Sequence, residues 1–491
     1  MTDPTALMVG VSGIRGIVGE GLTPEVVRQW AQAFGTWVKE AGEGGRGKRH
    51  AVLLGRDSRQ SGPAFARVVA EALTAAGCDV IDVGVVPTPT VQLAVEHHGA
   101  GGGIAITASH NPIEWNALKF IGSDGIFLDG SAAARVQELA RTGQDGAARR
   151  KTGKVKADRH AIERHLDLVM KLSVLDVPRI RRRRFTVALD AVRGAGGPVM
   201  QALLERLGCE VTGINLEPDG RFPRAPEPVP ENLAELRALV RASGADLGVA
   251  VDPDVDRLAI VDETGAPIGE DYTLAFAVRA VLGKATDEKA TEGRKDGMGM
   301  RGKSSVPFPS FRRSVVVCNL STSLVVEDAA RECGADVVRT PVGEVHVARK
   351  IVELDAPIGG EGNGGVMYPA LHCGRDAPVA AALVLELLAG TGKRVREVVA
   401  GAPRYAIVKA KLERGTRNAE RGLDDVYAAL RSRFPEASAD TQDGLRLAWR
   451  DRWLHVRPSN TEPIIRLIAE APTGDEAQQL VDEGRRSCAA S

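Results

Sequence analysis

The sequence predicts an α/β protein: three similar α/β domains with mainly parallel mixed sheets, and a C-terminal α+β domain, arranged around a central cleft. An internal repeat is the main basis for this prediction, because three passages share the order apolar strand, loop, helix, glycine and strand. These passages begin with "HAVLLGRDSR", "FTVALDAVRG" and "SVVVCNLSTS". From about residue 401 the pattern changes to alternating apolar and polar residues around turns, which indicates a different fold.

A glycine closes the first helix of each repeat, at Gly77, Gly208 and Gly334. Glycine readily adopts the left-handed conformation that ends a helix. Each repeat then adds a further helix and strand, and these last strands end in "GGGIAITASHNP", "ADLGVAVDPDVDR" and "LDAPIGGEGNGGV". Because ligands bind beyond the carboxyl ends of parallel strands, three polar loops in equivalent positions predict three domains that face one cleft.

Four domains follow from this pattern, with predicted boundaries at residues 1–155, 156–260, 261–400 and 401–491. Single hydrophobic cores stop growing near ~250 residues, so a chain of 491 residues is expected to be divided. Within the third domain, residues 286–310 contain few apolar side chains and show no periodicity. We therefore expect a disordered insertion there.

The composition excludes a general polyanion-binding protein. Lysine plus arginine and aspartate plus glutamate both number 64, and the isolated basic run "RIRRRRF" at 179–185 is typical of a solvated face. The N-terminal residues lack an export signal pattern, and no apolar run reaches ~18 residues. We therefore expect a cytoplasmic protein whose partners are neither nucleic acids nor membranes. The six cysteines form no CxxC pair, a pattern typical of buried thiols.

The aspartate loop, "DPDVDR" at residues 252–257, suggests a metal site. Asp252, Asp254 and Asp256 alternate at the end of an apolar strand, and three like charges this close repel unless a cation bridges them. A calcium-binding EF-hand does not fit, because Arg257 stands where that loop needs glycine and the flanks resemble strands. A magnesium site near a phosphate is the better interpretation.

The serine loop, "TASHNP" at residues 107–112, follows an apolar strand and contains Ser109 and His110. By itself it is compatible with an ordinary Asn-Pro turn. A Ser-His hydrolase is a second reading, but the loop lacks the G-x-S-x-G pattern, and residues adjacent in sequence do not thereby face each other.

The serine loop, the aspartate loop and "RPSNTEPIIR" at 457–466 together resemble the α-D-phosphohexomutase family, the phosphoglucomutase and phosphomannomutase relatives. The resemblance spans nearly the whole chain, from "VSGIRG" to "RPSNTEP". It implies Mg²⁺-dependent interconversion of hexose 1-phosphate and hexose 6-phosphate through a phosphoserine enzyme and a hexose 1,6-bisphosphate, which also acts as activator. Phosphoglucomutase/phosphomannomutase activity is favoured, phosphoglucosamine mutase is the alternative, and a non-catalytic sugar-phosphate-binding protein is the alternative of another class.

The resemblance also implies roles for particular residues. Those expected at the reacting centre are Ser109 as phosphoryl carrier, Lys119 as general acid/base, His110, Arg15 and Arg257. The expected metal ligands are Ser109, Asp252, Asp254 and Asp256. Glu361 and Asn363 of the glycine-rich loop, "GGEGNGG" at 359–365, would bind the hexose. The non-reacting phosphate would be bound by Arg457, Ser459, Asn460, Thr461 and Arg466.

Two departures from the family pattern leave the sugar open. Many relatives have Ser and His where this chain has Asn363 and Gly365, and Val9, Gly10 and Val11 replace a frequent Phe-Gly-Thr. The expected partner is a small hexose phosphate, and the expected assembly is a monomer or a homodimer.

Overall fold

The computed structural model of the 491-residue chain describes residues 7–42, 50–143, 152–296, 313–413, 423–458 and 464–490. Within these ranges it contains four β-sheets, which follow one another along the chain and which we assign to domains I to IV. The predicted fold class is confirmed, because the first three domains combine mixed sheets with helices and the fourth is α+β. No helix in these ranges is both long enough and apolar enough to cross a membrane.

Domain I, in the part of the chain that the structure describes, is built on a seven-stranded mixed sheet. Its strands are β1 (Met8–Gly10), β2 (Gly13–Ile17), β3 (Ala51–Arg56), β4 (Asp79–Val85), β5 (Gly102–Ile106), β6 (Trp115–Ile121) and β7 (Val155–Ala157). Its helices are α1 (Pro24–Gly42), α2 (Gly62–Ala75), α3 (Thr88–His98) and α4 (Gly130–Thr142). The strand order is β1-β2-β6-β5-β3-β4-β7, with β3, β4, β5 and β7 parallel.

The described residues of domain II form a four-stranded sheet. Its strands are β8 (Thr186–Asp190), β9 (Glu210–Ile214), β10 (Leu247–Val251) and β11 (Leu258–Val261). Its helices are α5 (Ala161–Met170), α6 (Val177–Arg183), α7 (Gly196–Arg206) and α8 (Ala234–Ser243). The order is β11-β10-β8-β9, and β11 is antiparallel to β10.

Domain III contains a five-stranded sheet within residues 313–413. Its strands are β12 (Val315–Asn319), β13 (Asp336–Thr340), β14 (Ile358–Glu361), β15 (Gly365–Tyr368) and β16 (His372–Arg375), in the order β13-β12-β14-β15-β16. Its helices are α9 (Asp271–Asp296), α10 (Leu324–Glu332), α11 (Glu344–Leu354), α12 (Ala377–Thr391) and α13 (Val395–Ala400).

Part of the expected insertion is helical. Helix α9 continues to Asp296, so residues 286–296 form regular structure where the sequence predicted none. This stretch, "TDEKATEGRKD", has Glu, Lys, Arg or Ala at six of its eleven positions, and these residues have high helix propensity even without an apolar face. Residues 297–310 of the predicted insertion lie outside the described residues.

Domain IV forms an antiparallel sheet that has five strands in the described ranges. They are β17 (Ala406–Glu413), β18 (Ser438–Asp440), β19 (Leu445–Ala448), β20 (Trp453–Pro458) and β21 (Ile464–Ala471), in the order β17-β21-β20-β19-β18. The helices are α14 (Leu423–Arg433) and α15 (Gly474–Ala490).

The internal repeat is confirmed as a structural repeat. The three units are β3-α2-β4-α3-β5, β8-α7-β9-α8-β10 and β12-α10-β13-α11-β14. Gly77, Gly208 and Gly334 have φ angles of +86°, +80° and +70°, as predicted for glycines that end helices. In each unit the last strand leads through a loop into an antiparallel neighbour, so the serine, aspartate and glycine-rich loops occupy equivalent positions.

Two hydrophobic clusters cross the boundaries among the first three domains. One cluster of buried residues joins domains II and III, and another joins helix α3 of domain I to strands and helices of domain III. The cluster of domain IV consists of side chains from its own strands and helices. The two shared clusters contain side chains of domains I to III and of the connection before strand β17, but none from the described strands and helices of domain IV.

Candidate active site

The serine loop begins where strand β5 of domain I ends at Ile106. The φ angle of Ser109 is +47°, a left-handed conformation that is uncommon for residues with a side chain and is often found at functional sites. Ser109 is buried, and its Oγ donates a hydrogen bond of 2.7 Å to Oδ2 of Asp252. Its backbone N–H donates to Oγ1 of Thr107 at 2.9 Å. These bonds hold the hydroxyl of Ser109 against the aspartate loop of domain II.

Arg59 anchors the serine loop, and the sequence analysis did not identify it. Its fully buried guanidinium donates hydrogen bonds of 2.6–2.8 Å to backbone carbonyl oxygens of Ser109, Asn111, Pro112 and Trp115. Asp57 accepts a bond of 3.1 Å from Nε of Arg59 and one of 2.7 Å from Oγ1 of Thr107. The available signal was a charged pair directly after a buried strand, in "GRDSR".

The aspartate loop follows strand β10 and brings its three carboxylates together. One oxygen of each of Asp252, Asp254 and Asp256 lies within 4.8 Å of the others, and all three side chains are buried. Val255 has a φ of +62°, which is unusual for a β-branched residue. The backbone N–H groups of Asp256 and Arg257 donate to Oδ1 of Asp252 at 3.2 and 3.3 Å. The turn therefore directs three carboxylates into one small space.

These carboxylates require nearby positive charge. Burial raises the pKa of Asp252 well above its usual range, and the charges of Asp256 and Asp254 raise it further. Oδ1 of Asp254 and Oδ1 of Asp256 are buried and accept no hydrogen bond from the described residues. Hard carboxylate oxygens are the ligands that Mg²⁺ prefers, so the side chains present fit a divalent cation.

Lys119, on strand β6, supplies part of the positive charge. Its Nζ donates to Oδ2 of Asp254 at 2.7 Å and lies 3.7 Å from Oδ2 of Asp256. Burial alone would lower the pKa of Lys119, but the two carboxylates hold it above the ordinary value. Thr88 also donates to Oδ2 of Asp254, at 2.7 Å. Lys119 is therefore a buried, charged side chain between domains I and II.

His110 and Arg15 surround the serine loop together with Arg257. Nδ1 of His110 lies 3.4 Å from Oγ of Ser109. Burial lowers the pKa of His110 well below its usual range, and the charges of Arg257 and Arg15 add to this effect. Nη1 of Arg15 donates to Oδ1 of Asn111 at 2.8 Å. A neutral imidazole therefore lies beside the hydroxyl of Ser109, and two guanidinium groups act on that ring through their charge.

The glycine-rich loop begins at the end of strand β14 and holds Glu361. This buried carboxylate accepts hydrogen bonds of 2.8 Å from Nδ2 of Asn319 and from Nη1 of Arg375. Burial would raise the pKa of Glu361, but the charge of Arg375 and the bond from Asn319 hold it below the ordinary value. Oδ1 of Asn363 accepts from the N–H of Gly365 at 3.1 Å, which stabilises the turn.

Arg375 links the glycine-rich loop to the aspartate loop, and it too was missed. Its Nη2 donates to Oδ2 of Asp256 at 2.6 Å, and its Nε lies 3.0 Å from Oε2 of Glu344. With the bond to Glu361, one buried guanidinium therefore contacts three carboxylates. The available signal was the charged pair in "GRDAP", just before helix α12.

Domain IV contributes cations on adjacent strands. Arg457 on β20 and Arg466 on β21 are directly opposite each other, and we call this pair the phosphate cradle. Nε of Arg457 lies 3.0 Å from Oδ2 of Asp443. The other three residues predicted for this site lie outside the described residues: Ser459, Asn460 and Thr461.

A cavity of about 610 Å³ lies between the domains, and all four contribute to its lining. Among the residues predicted from the sequence, its lining includes Arg15, His110, Glu361, Asn363, Arg457 and Arg466. Domain II contributes Glu227, which accepts a bond of 3.1 Å from Arg257. Ser109, Lys119 and the three aspartates are buried and do not line this cavity, but His110, which follows Ser109 in the chain, does. The arrangement suits a polar molecule with anionic groups at both ends, because cations lie near the serine loop and in domain IV.

Four family models match successive parts of the chain. All four describe phosphoglucomutase/phosphomannomutase domains: alpha/beta/alpha domain I at residues 6–146, domain II at 163–265, domain III at 308–405 and the C-terminal domain at 408–487. The resemblance inferred from the motifs is thereby confirmed.

Similar proteins agree with these matches. A phosphoglucomutase/phosphomannomutase of Thermococcus kodakarensis is 36% identical over 481 residues, 97% of each chain. A probable phosphoglucosamine mutase of Methanopyrus kandleri is 37% identical over 475 residues, 96% of each chain. The solved structure of a phosphoglucomutase/phosphomannomutase family protein of Burkholderia thailandensis is 27% identical, with a TM-score of 0.80 over 100% of this chain and 98% of that one. The chain therefore belongs to the phosphoglucomutase/phosphomannomutase family of phosphohexomutases, which are isomerases.

Proposed function

We propose that this mutase moves a phosphoryl group between the 1- and 6-positions of a hexose phosphate, with Ser109 as the carrier and glucose and mannose phosphates as substrates. The observation that carries the proposal is the 2.7 Å hydrogen bond from Oγ of Ser109 to Asp252. It places a hydroxyl group beside three buried carboxylates and next to a cavity with cations at both ends. Such a site suits a group that alternates between serine and phosphoserine.

Asp252, Asp254 and Asp256, together with an oxygen on Ser109, are the proposed Mg²⁺ ligands. The buried oxygens of Asp254 and Asp256 without a hydrogen bond support this assignment. When bound, Mg²⁺ would neutralise negative charge on the phosphoryl oxygens.

The remaining side chains at the serine loop would neutralise negative charge and transfer protons. During transfer from phosphorylated Ser109, the accepting sugar hydroxyl loses a proton and the serine oxygen regains one. Lys119 is the proposed general acid/base, supported by its burial and its position between the two loops. Arg15 and Arg257 would balance the negative charge of the phosphoryl group while it is transferred. His110 would form a hydrogen bond next to the transferred group.

The opposite side of the cavity would bind the rest of the substrate. Glu361 and Asn363 are suited to sugar hydroxyls, and the phosphate cradle of Arg457 and Arg466 to the phosphate that does not react. After the first transfer, the hexose 1,6-bisphosphate would turn over within the cavity and return its other phosphoryl group to Ser109. Added bisphosphate would act as activator because it phosphorylates the free serine.

Phosphoglucosamine mutase activity is the second candidate. It is supported by the Methanopyrus kandleri relative, whose identity of 37% is as high as that of the phosphoglucomutase/phosphomannomutase relative at 36%. In addition, Glu227 lines the cavity and offers a carboxylate to a substrate ammonium group.

A single assay separates these candidates. Purified protein is incubated with Mg²⁺, hexose 1,6-bisphosphate and either glucose 1-phosphate, mannose 1-phosphate or glucosamine 1-phosphate, and the sugar 6-phosphate and inorganic phosphate are both measured. We expect 6-phosphate from the glucose and mannose substrates with little free phosphate. Formation of free phosphate alone would indicate a hydrolase, and binding without turnover would indicate a sugar-phosphate-binding protein.

A further inference from the structure

Three cations lie side by side on the face of the domain IV sheet that borders the cavity. The register pairs Lys411 on β17 with Arg466 on β21, and Arg466 with Arg457 on β20. All three side chains line the cavity. Like charges that are directly opposite on neighbouring strands destabilise a sheet, so this row favours a nearby anion.

A carboxylate of the protein itself lies at the end of this row. Asp443 precedes strand β19, and its Oδ2 is 3.0 Å from Nε of Arg457, with the two side chains 14% and 7% exposed. This ion pair is poorly aligned, because Nε of Arg457 is buried and makes no hydrogen bond among the described residues. A phosphate dianion, with more charge and more acceptor atoms, would be the stronger partner for Arg457.

The same carboxylate oxygen also contacts domain III. Oδ2 of Asp443 accepts a hydrogen bond of 3.1 Å from the N–H of Val342. The next amide, that of Gly343, donates to Oε1 of Glu361 at 3.2 Å. Asp443 therefore lies between the phosphate cradle and the turn that supports the glycine-rich loop.

We propose that Asp443 is a positioning residue that competes with the substrate phosphate for Arg457. This inference rests on the proposed function. In each reaction cycle the phosphate cradle has to release one phosphate of the bisphosphate and bind the other. A buried guanidinium without a counter-charge is unfavourable, and Asp443 supplies that counter-charge whenever the phosphate leaves. The carboxylate thus weakens phosphate binding and makes exchange of the two phosphates faster.

The test variant is Asp443→Asn, which removes the charge and keeps an oxygen that can accept from Val342. We expect inorganic phosphate, measured by calorimetry on the whole protein, to bind about 3- to 10-fold more tightly, because the carboxylate of Asp443 no longer competes for Arg457. In the mutase assay, KM and kcat should both fall, since the bisphosphate is released more slowly from the cradle. Asp443→Ala, which lacks the acceptor, should also bind phosphate more tightly.

The matched control is Asp440→Asn, on the same hairpin, where the carboxylate contacts Gln442 within its own turn. It should leave phosphate affinity unchanged. In an Arg457→Ala background, Asp443→Asn should have no effect on phosphate affinity. If Asp443 had a purely structural role, the effects of the two substitutions would instead add.

The outcomes distinguish this inference from the proposed function. If wild type and Arg457→Ala bind phosphate equally, the assignment of the phosphate cradle is wrong. Suppose instead that Arg457→Ala weakens phosphate binding, but Asp443→Asn and Asp443→Ala bind phosphate no more tightly than Asp440→Asn. The proposed competition between Asp443 and phosphate is then wrong, while the assignment of the phosphate cradle still holds.

Discussion

The junctions among domains I, II and III differ in kind from the junction that holds domain IV. Buried ion pairs connect the first three domains, including Lys119 with Asp254 and Arg375 with Asp256, and shared hydrophobic clusters surround them. Domain IV contacts domain III through polar groups, including Ser321 with His455, Ser323 and the Leu324 amide with Glu470, and Asp443 with the Val342 amide. Its apolar cluster is formed from its own residues.

This difference corresponds to a difference in task. Phosphoryl transfer needs reacting groups held in a narrow range of positions, which the buried network around the serine and aspartate loops provides. Binding and releasing a phosphate needs an element that can adjust, and polar junctions between domains permit relative motion. We therefore expect substitutions in the network to affect turnover and those in domain IV to affect affinity.

The largest expected effect is that of Ser109→Ala. Without the carrier hydroxyl, mutase turnover should fall by orders of magnitude while the protein remains folded, because only a small buried atom is removed. Turnover and circular dichroism are the measurements. Ser131→Ala, at an exposed serine of the same domain, is the control and should behave as wild type. Near-normal turnover of the Ser109 variant would show that the reaction does not proceed through this residue.

Asp254→Asn should have the next largest effect. Losing one carboxylate leaves the cation and the ammonium group of Lys119 imperfectly balanced, so activity should fall and the Mg²⁺ concentration for half-maximal activity should rise. A Mg²⁺ titration of activity measures both. Asp336→Asn, at the first residue of strand β13 and in an exposed ion pair with Arg313, should leave the titration unchanged. Full activity of wild type after exhaustive chelation would refute the metal role.

Arg457→Ala should change affinity more than turnover. A charge-assisted hydrogen bond to phosphate is lost equally in the ground and transition states, so KM should rise about 10- to 100-fold with a smaller change in kcat. Steady-state kinetics with hexose 1-phosphate and hexose 6-phosphate test both substrate orientations. Arg433→Ala, at an exposed arginine of domain IV, is the control. A loss confined to kcat would place Arg457 with the reacting centre instead.

The smallest expected effect is a pH dependence of domain IV. Burial lowers the pKa of His455 to about 4, and the neutral ring accepts from Ser321 while donating to the carbonyl oxygen of Asp443. In the unfolded chain the pKa of a histidine is ~6.5. Between that pH and about pH 4, the unfolded state therefore binds more protons than the folded state. The free energy of unfolding should fall as the pH decreases through this range, by at most about 3 kcal/mol.

Hydrogen exchange of the β20 amides between pH 7 and pH 5 measures this loss, with the β10 amides of domain II as the internal reference. His455→Gln cannot be protonated and should have a smaller pH dependence than wild type. The same pH dependence in both proteins would exclude His455 as its source.

The repeated elements of the fold could be predicted from the sequence alone. The glycine-ended helices, the three equivalent loops and the cluster of Asp252, Asp254 and Asp256 follow from local patterns, because each depends on a short stretch of chain. Arg59 and Arg375 were missed because their partners lie far away in sequence. Arg59, for example, donates hydrogen bonds to the carbonyl oxygens of Ser109 and Trp115, some fifty positions later. The helical residues 286–296 were missed because they have helix propensity without an apolar face.

Phosphopeptide mapping tests the central claim most directly. Wild-type protein is incubated with hexose 1,6-bisphosphate and Mg²⁺, its intact mass is measured, and the modified residue is located by fragmentation. We expect one phosphate, on Ser109. If that phosphate is radiolabelled, excess unlabelled hexose 1-phosphate should carry the label onto the sugar while Ser109 remains phosphorylated. Active protein that never carries a phosphate on Ser109, or that carries it on another residue, would contradict the account.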